Sequence, residues 1–198
     1  MSSFSSDSFA ETPASVEVDP KLAFRFQRQF YGCVGAPVGW LLGLMGAGTE
    51  LSRLQEHAKN GDCQPAVVIA LNPVIVAAYA DELDDVALLR FEEPFIAKLG
   101  LTVGTCLVSA NAYFDQAGRT HANDIMKGER SHRRYVNFHP VILNFITRDG
   151  NLLEQLRAEI PQEAWERAYE LGVKKLSAHP GLLRYGSPFR AMESIRRG

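Results

Sequence analysis

The densest collection of side chains able to do chemistry lies between Asp115 and His139. The stretch holds His121, Asp124, His132 and His139, together with Arg119, Lys127, Arg130, Arg133 and Arg134. Against Asp115, Asp124 and Glu129, these five basic residues give segment 115–134 a charge of +2. Guanidinium groups fork onto carboxylate and phosphate oxygens, so Arg130, Arg133 and Arg134 are the candidates for gripping an anionic ligand. His121, His132 and His139 are the candidates for an acid, a base or a ligand in the same site. The apolar signal is lost for about twenty residues here, and loops of that length either bind something or stay solvated.

Imidazole and carboxylate together also suit zinc or iron. The spacing, however, matches no closed metal motif, and there is no H-E-x-x-H. No metal and no cofactor is assigned, and no catalytic residue is named.

Other groups read as structure. Asp81, Glu82, Asp84 and Asp85, with Glu92 and Glu93, form an acidic cluster at a predicted strand turn. Water at such a turn keeps carboxylates ionised, so the pattern predicts a solvated hairpin loop rather than an acid–base pair. Cys106 falls on the apolar face of a predicted strand, the setting of an inert core thiol. Gly46-Ala47-Gly48 lacks the third glycine of a dinucleotide fingerprint and the lysine of a phosphate loop. Trp40 and Trp165 are anchors of a core or an interface.

The elements that must position these residues follow from periodicity. Ala66–Leu71 and Val74–Ala80 are continuous apolar runs separated by Asn72-Pro73, which predicts two strands covered on both faces. Val86–Phe91 is a third strand, and Pro94–Leu99 a short helix. In Thr102–Phe114 the positions 106, 108, 110, 112 and 114 are apolar, while Thr105, Ser109, Asn111 and Tyr113 alternate with them. That period of two predicts a half-buried antiparallel strand. Pro140 predicts a helix start running to Ile146, with a fifth strand over 135–146 left open. Helices are predicted at Lys21–Tyr31, where a phenylalanine-rich strand is left open, from a Thr49 cap to Asn60-Gly61, at Leu152–Ile160 and from Pro161 to Gly172.

The fold class is therefore α+β: a mainly antiparallel sheet of about four or five strands with helices packed on it. Residues 1–20, rich in serine and acids, are expected as a disordered tail, 21–188 as a single globular domain, and 189–198 as a loose basic end. Phe30–Thr49 carries no charge, but its six glycines and Pro37 lower its mean hydropathy, so it is expected to be buried rather than membrane-spanning.

Composition bounds the function classes. The chain has 198 residues, 46% hydrophobic and 22% charged, and a formal net charge of −2. Strong binding to nucleic acid or anionic lipid needs a positive excess, which the whole-chain balance does not supply; any basic site must be local. No nucleic-acid or membrane partner is therefore expected. Three widely spaced cysteines and the absence of a targeting signal predict reduced thiols and a soluble, cytoplasmic protein. The expectation for function is a non-enzymatic binding or assembly domain, with a homodimer or other homo-oligomer as its assembled form. The alternative is an enzyme or ligand-binding domain that uses segment 115–139 to hold a small anionic ligand or a metal.

Overall fold

Valine, isoleucine and alanine dominate the runs on either side of Asn72-Pro73, and they form the centre of a six-stranded sheet. The computed structural model describes residues 12–31, 36–115, 122–126, 128–131 and 135–189. Helices α1 (Pro20–Tyr31) and α2 (Ala36–Asn60) come first, followed by β1 (Asp62–Leu71), β2 (Val74–Ala80) and β3 (Asp85–Phe91). A short α3 (Pro94–Ala97), β4 (Cys106–Asp115) and β5 (Tyr135–Ile142) follow, with a 3-10 turn at Leu143–Phe145. Helices α4 (Gly150–Glu159) and α5 (Gln162–Ala178) and the two-residue β6 (Arg184–Tyr185) complete the fold.

The strand order is β5-β4-β1-β2-β3-β6. All pairings are antiparallel except β3 with β6, which is parallel. The α+β class holds, but the sheet is mixed and has six strands. The extra strand is only two residues long, below what periodicity can register. Pro140 lies inside β5 rather than at a helix start. β5 is the edge strand beyond β4, where a missing N–H removes no ladder bond on the outer side.

Two further boundaries differ from the reading of the sequence. Residues 13–18 are packed chain: Pro13 bridges to Asp62, and Ala14, Val16 and Val18 are buried. Their alternation is short and sits among acids and serines, which hides it in composition. Helix α2 begins at Ala36, so Thr49 lies within the helix and does not cap it. In its second half, Leu54 and Ala58 are buried on one face. No helix among the described residues is long and apolar enough to cross a membrane. The side chains of 27–47, most of the uncharged segment among them, lie outside the described residues.

Helix α5 covers the sheet through Trp165, Ala168, Gly172 and Lys175, all buried and spaced three, four and three apart. Gly172 lies against Ala77 and Ile69, so close that a Cβ there would collide with Ala77. Arg184 shows that the sheet curls. From β6, its Nη1 donates to the Phe138 carbonyl of β5 at 2.6 Å, joining the two edge strands.

Candidate functional site

One end of the sheet gathers the starts of β1, β3 and β5 and the ends of β2 and β4. The turn between β2 and β3 is only partly solvated: Asp81 is exposed as the sequence suggests, but Asp84 and Asp85 are buried. Asp84 is 1% exposed and Asp85 5%. Asp84 takes φ 48, a left-handed conformation that aspartate tolerates better than most residues. This conformation turns its carboxylate inward. There Arg167 of α5 grips it through Nε at 3.1 Å and Nη2 at 2.9 Å, and the Tyr79 hydroxyl donates at 3.1 Å. Burial opposes ionisation of Asp84, but the Arg167 fork and the other donors outweigh it and hold the carboxyl below its usual range. Asp85 accepts from Lys175 Nζ at 2.7 Å. Its burial is not fully offset by Lys175, so its carboxyl is pushed up.

Residues 122–126 and 128–131 lie over this turn as a strap. The N–H of Met126 donates to Asp85 at 2.5 Å, and that of Gly128 to the Leu83 carbonyl at 3.0 Å. The N–H of Arg130 donates to Asp84 at 3.3 Å, and Ser131 Oγ to the Glu82 carbonyl at 3.3 Å. Gly128 abuts Asp84 where any side chain would collide. Asp124 holds Arg184 in a two-pronged pair at 2.6 and 2.9 Å, and Arg184 Nη2 also donates to Asn137 Oδ1 at 2.9 Å. The strap thus ties the β2–β3 turn to the residue that joins the two edge strands.

Beside the strap, the polar face of β4 is buried rather than half-exposed. Ser109 and Asn111 are 0% and 1% exposed. Their polar atoms are satisfied internally, which removes the need for water. Ser109 Oγ donates to the Gln64 carbonyl at 3.1 Å. Extending the register Ala66↔Ala78 by one residue puts Pro65, which has no N–H, opposite Tyr79. Asn111 Nδ2 supplies the missing donor to the Tyr79 carbonyl at 2.7 Å.

This row ends in a phenol between two carboxylates. Tyr113 donates to Asp81 at 2.8 Å, with Asp62 3.4 Å away, and its ring stacks on Tyr135 at 5.0 Å. Burial, then the charges of Asp81 and Asp62, push the Tyr113 hydroxyl well above its ordinary value. Burial also raises the Asp62 carboxyl, against a hydrogen bond from Gln64 Nε2 at 2.7 Å. This arrangement holds protons firmly; it does not activate a nucleophile.

Of the six residues predicted from the sequence, Arg130 and His139 fall among the described residues. Arg130 belongs to the strap, and its backbone is what bonds Asp84. His139 is buried beside His57 of α2, ring centroids 5.8 Å apart, and its Nε2 is without a hydrogen-bond partner. His57 Nε2 donates to the Ala110 carbonyl at 3.0 Å. Burial lowers His57 to about 4 despite its carbonyl partners. Burial, His57 and Arg184 lower His139 well below the usual range. His121, His132, Arg133 and Arg134 lie outside the described residues. No group of three or more histidine, cysteine or acidic side chains able to hold a metal occurs among the described residues.

The residues that organise this end are Asp84, Asp85, Arg167, Lys175 and Arg184. Asp84 and Asp85 were visible only as an acidic cluster, and Lys175 falls on the buried stripe of α5, which runs to Ala178, past the Gly172 end that the sequence suggests; a buried cation there requires a carboxylate partner. No family model, curated protein or solved structure matches this chain.

Proposed function

We propose that this chain is a non-enzymatic binding or assembly domain. One observation carries the reading: among the described residues at the strap end, three ion pairs join charged side chains to one another. Asp84 is held by Arg167, Asp85 by Lys175 and Asp124 by Arg184. Groups used this way fix backbone and are not poised for a substrate. The test is hydrogen exchange on the protein alone. The amides of Met126, Gly128 and Arg130 should exchange slowly, because each is bonded to the β2–β3 turn. Exchange at the rate of an open loop would overturn the reading, since a loop that orders only around a ligand behaves that way. The assembly form of the proposal is a homo-oligomer, which light scattering in solution tests directly.

A second reading keeps the basic segment as a site for a small anionic ligand. It is favoured by Arg130, an exposed residue whose backbone is pinned by Asp84. Titration with inorganic phosphate tests it: saturable binding lost in Arg130→Ala supports this reading, and no binding removes it.

A further inference from the structure

Residues 12–18 are held by the rest of the fold as an extended peptide is held by a receptor. Ala14, Val16 and Val18 are buried, while Ser15 and Glu17 between them are exposed. The receptor is the last turn of α2 with the start of β1. A helix ends in carbonyls that have no intrahelical donor. Those of Ala58 and Lys59 accept here from the N–H groups of Val16 at 3.2 Å and Ser15 at 3.0 Å, and the Gly61 carbonyl accepts from Ala14 at 3.0 Å. Cys63 N–H donates to the Thr12 carbonyl at 2.9 Å, and Pro13 bridges to Asp62.

Gln55 of α2 takes both a donor and an acceptor of the segment. Its Oε1 accepts from Val18 N–H at 2.8 Å, and its Nε2 donates to the Val16 carbonyl at 3.0 Å. Recognition thus runs through main chain, with small apolar side chains seated at alternate positions, the pattern of strand addition. The connection onward to α1 has no slack. Val18 is held by Gln55, while the next residue, Asp19, donates its N–H to the Ile146 carbonyl at 2.7 Å and accepts from Lys21 N–H at 2.7 Å. A hinge this short invites exchange of a segment between copies.

We propose that residues 12–18 are exchanged between two copies of this chain, each filling the other's groove with these same bonds. The proposal rests on the assembly form of the binding-domain reading and names its partner and its surface. Exchange needs no new complementarity, because groove and occupant already match, and a two-fold axis satisfies both copies at once. Every bond given up within one copy is regained from the other. A foreign peptide has no such return: it must displace a segment tethered beside the groove.

The test is light scattering of the full chain at micromolar concentration, where a dimer is expected. Inserting Gly-Ser-Gly-Ser between Val18 and Asp19 keeps every groove residue and supplies slack. The segment then meets its own groove at an effective concentration of roughly millimolar, so the dimer dissociation constant should rise at least about tenfold. A second measurement locates the contact. Chains with Ser15→Cys and chains with Lys59→Cys, unfolded and refolded together, should form a disulfide between copies, because Ser15 N–H meets the Lys59 carbonyl. The double variant, Ser15→Cys with Lys59→Cys, shows on its own whether the geometry permits that bond. A monomeric unaltered chain, or a dimer whose dissociation constant the insertion leaves unchanged, overturns the exchange. So does the absence of a mixed disulfide where the double variant forms one. A dimer indifferent to the insertion leaves the assembly reading standing through another surface. Failure of the binding-domain reading itself shows elsewhere, as fast exchange at the amides of Met126, Gly128 and Arg130.

Discussion

Lys175 Nζ lies 2.7 Å from Asp85 Oδ2 and 2.6 Å from the Val86 carbonyl, and the two side chains are 5% and 7% exposed. The pair clamps α5 to the first residues of β3. Lys175→Met leaves the Asp85 carboxylate buried without its cation and should cost about 3–5 kcal/mol at pH 7. Burial already raises the Asp85 carboxyl in the folded state. Without Lys175 the folded protein takes up a proton there more readily than the unfolded chain does. The penalty should therefore shrink as pH falls. Urea unfolding of both proteins at pH 7 and pH 5 measures it. Adding Asp85→Asn should recover much of the loss.

The two buried histidines set a second pH dependence. His57 is lowered from 6.5 to about 4, and His139 is lowered too. A depressed histidine contributes stability that is complete above the unfolded value. As pH falls from about 6.5 to about 4 the unfolded chain binds protons that the folded state refuses, so stability drops. The loss through His57 should reach up to about 3 kcal/mol. Urea midpoints across this window should fall in the unaltered protein and fall less in His57→Gln.

His139 Nε2 is buried and without a hydrogen-bond partner. Replacing the ring by an apolar side chain removes that desolvated atom. His139→Leu should be neutral or stabilise by about 1–2 kcal/mol at pH 7, read from the denaturation midpoint.

Gly172 is the point of closest approach between α5 and the sheet, against Ala77. Gly172→Ala should cost about 1–3 kcal/mol by pushing the helix outward, although alanine is the better helix former. Ala77→Gly should restore part of the loss in the double variant, which thermal unfolding of the four proteins would show.

The sequence made the centre of the fold readable and its polar end opaque. Val74–Ala80 matches its strand to the residue because both faces are apolar. Polarity stood in for exposure elsewhere, and that substitution failed wherever hydrogen bonds replace water. Ser109 and Asn111 looked solvent-facing but are buried by bonds to Gln64 and Tyr79. Asp84 and Asp85 looked like a wet turn because their partners, Arg167 and Lys175, are more than eighty residues away in sequence. Thr102 looked like strand, yet 102–105 forms a turn with Gly104 at φ 88, so β4 begins at Cys106. Within the candidate site, the segment was located but its role was not. Its hold on the β2–β3 turn runs through backbone N–H groups, on which side-chain type is silent.

On the proposed reading, the charged residues described at the strap end, Asp84 and Asp124 among them, hold the fold and not a ligand. Residues kept for ligands or chemistry often reduce stability, so removing them tends to raise it. The direct measurement is the Tm of Asp84→Asn and Asp124→Asn against the unaltered protein. Each should lose about 2 kcal/mol or more, a fall of roughly 4–8 °C for a chain of this size. A rise in Tm for either variant would contradict the account.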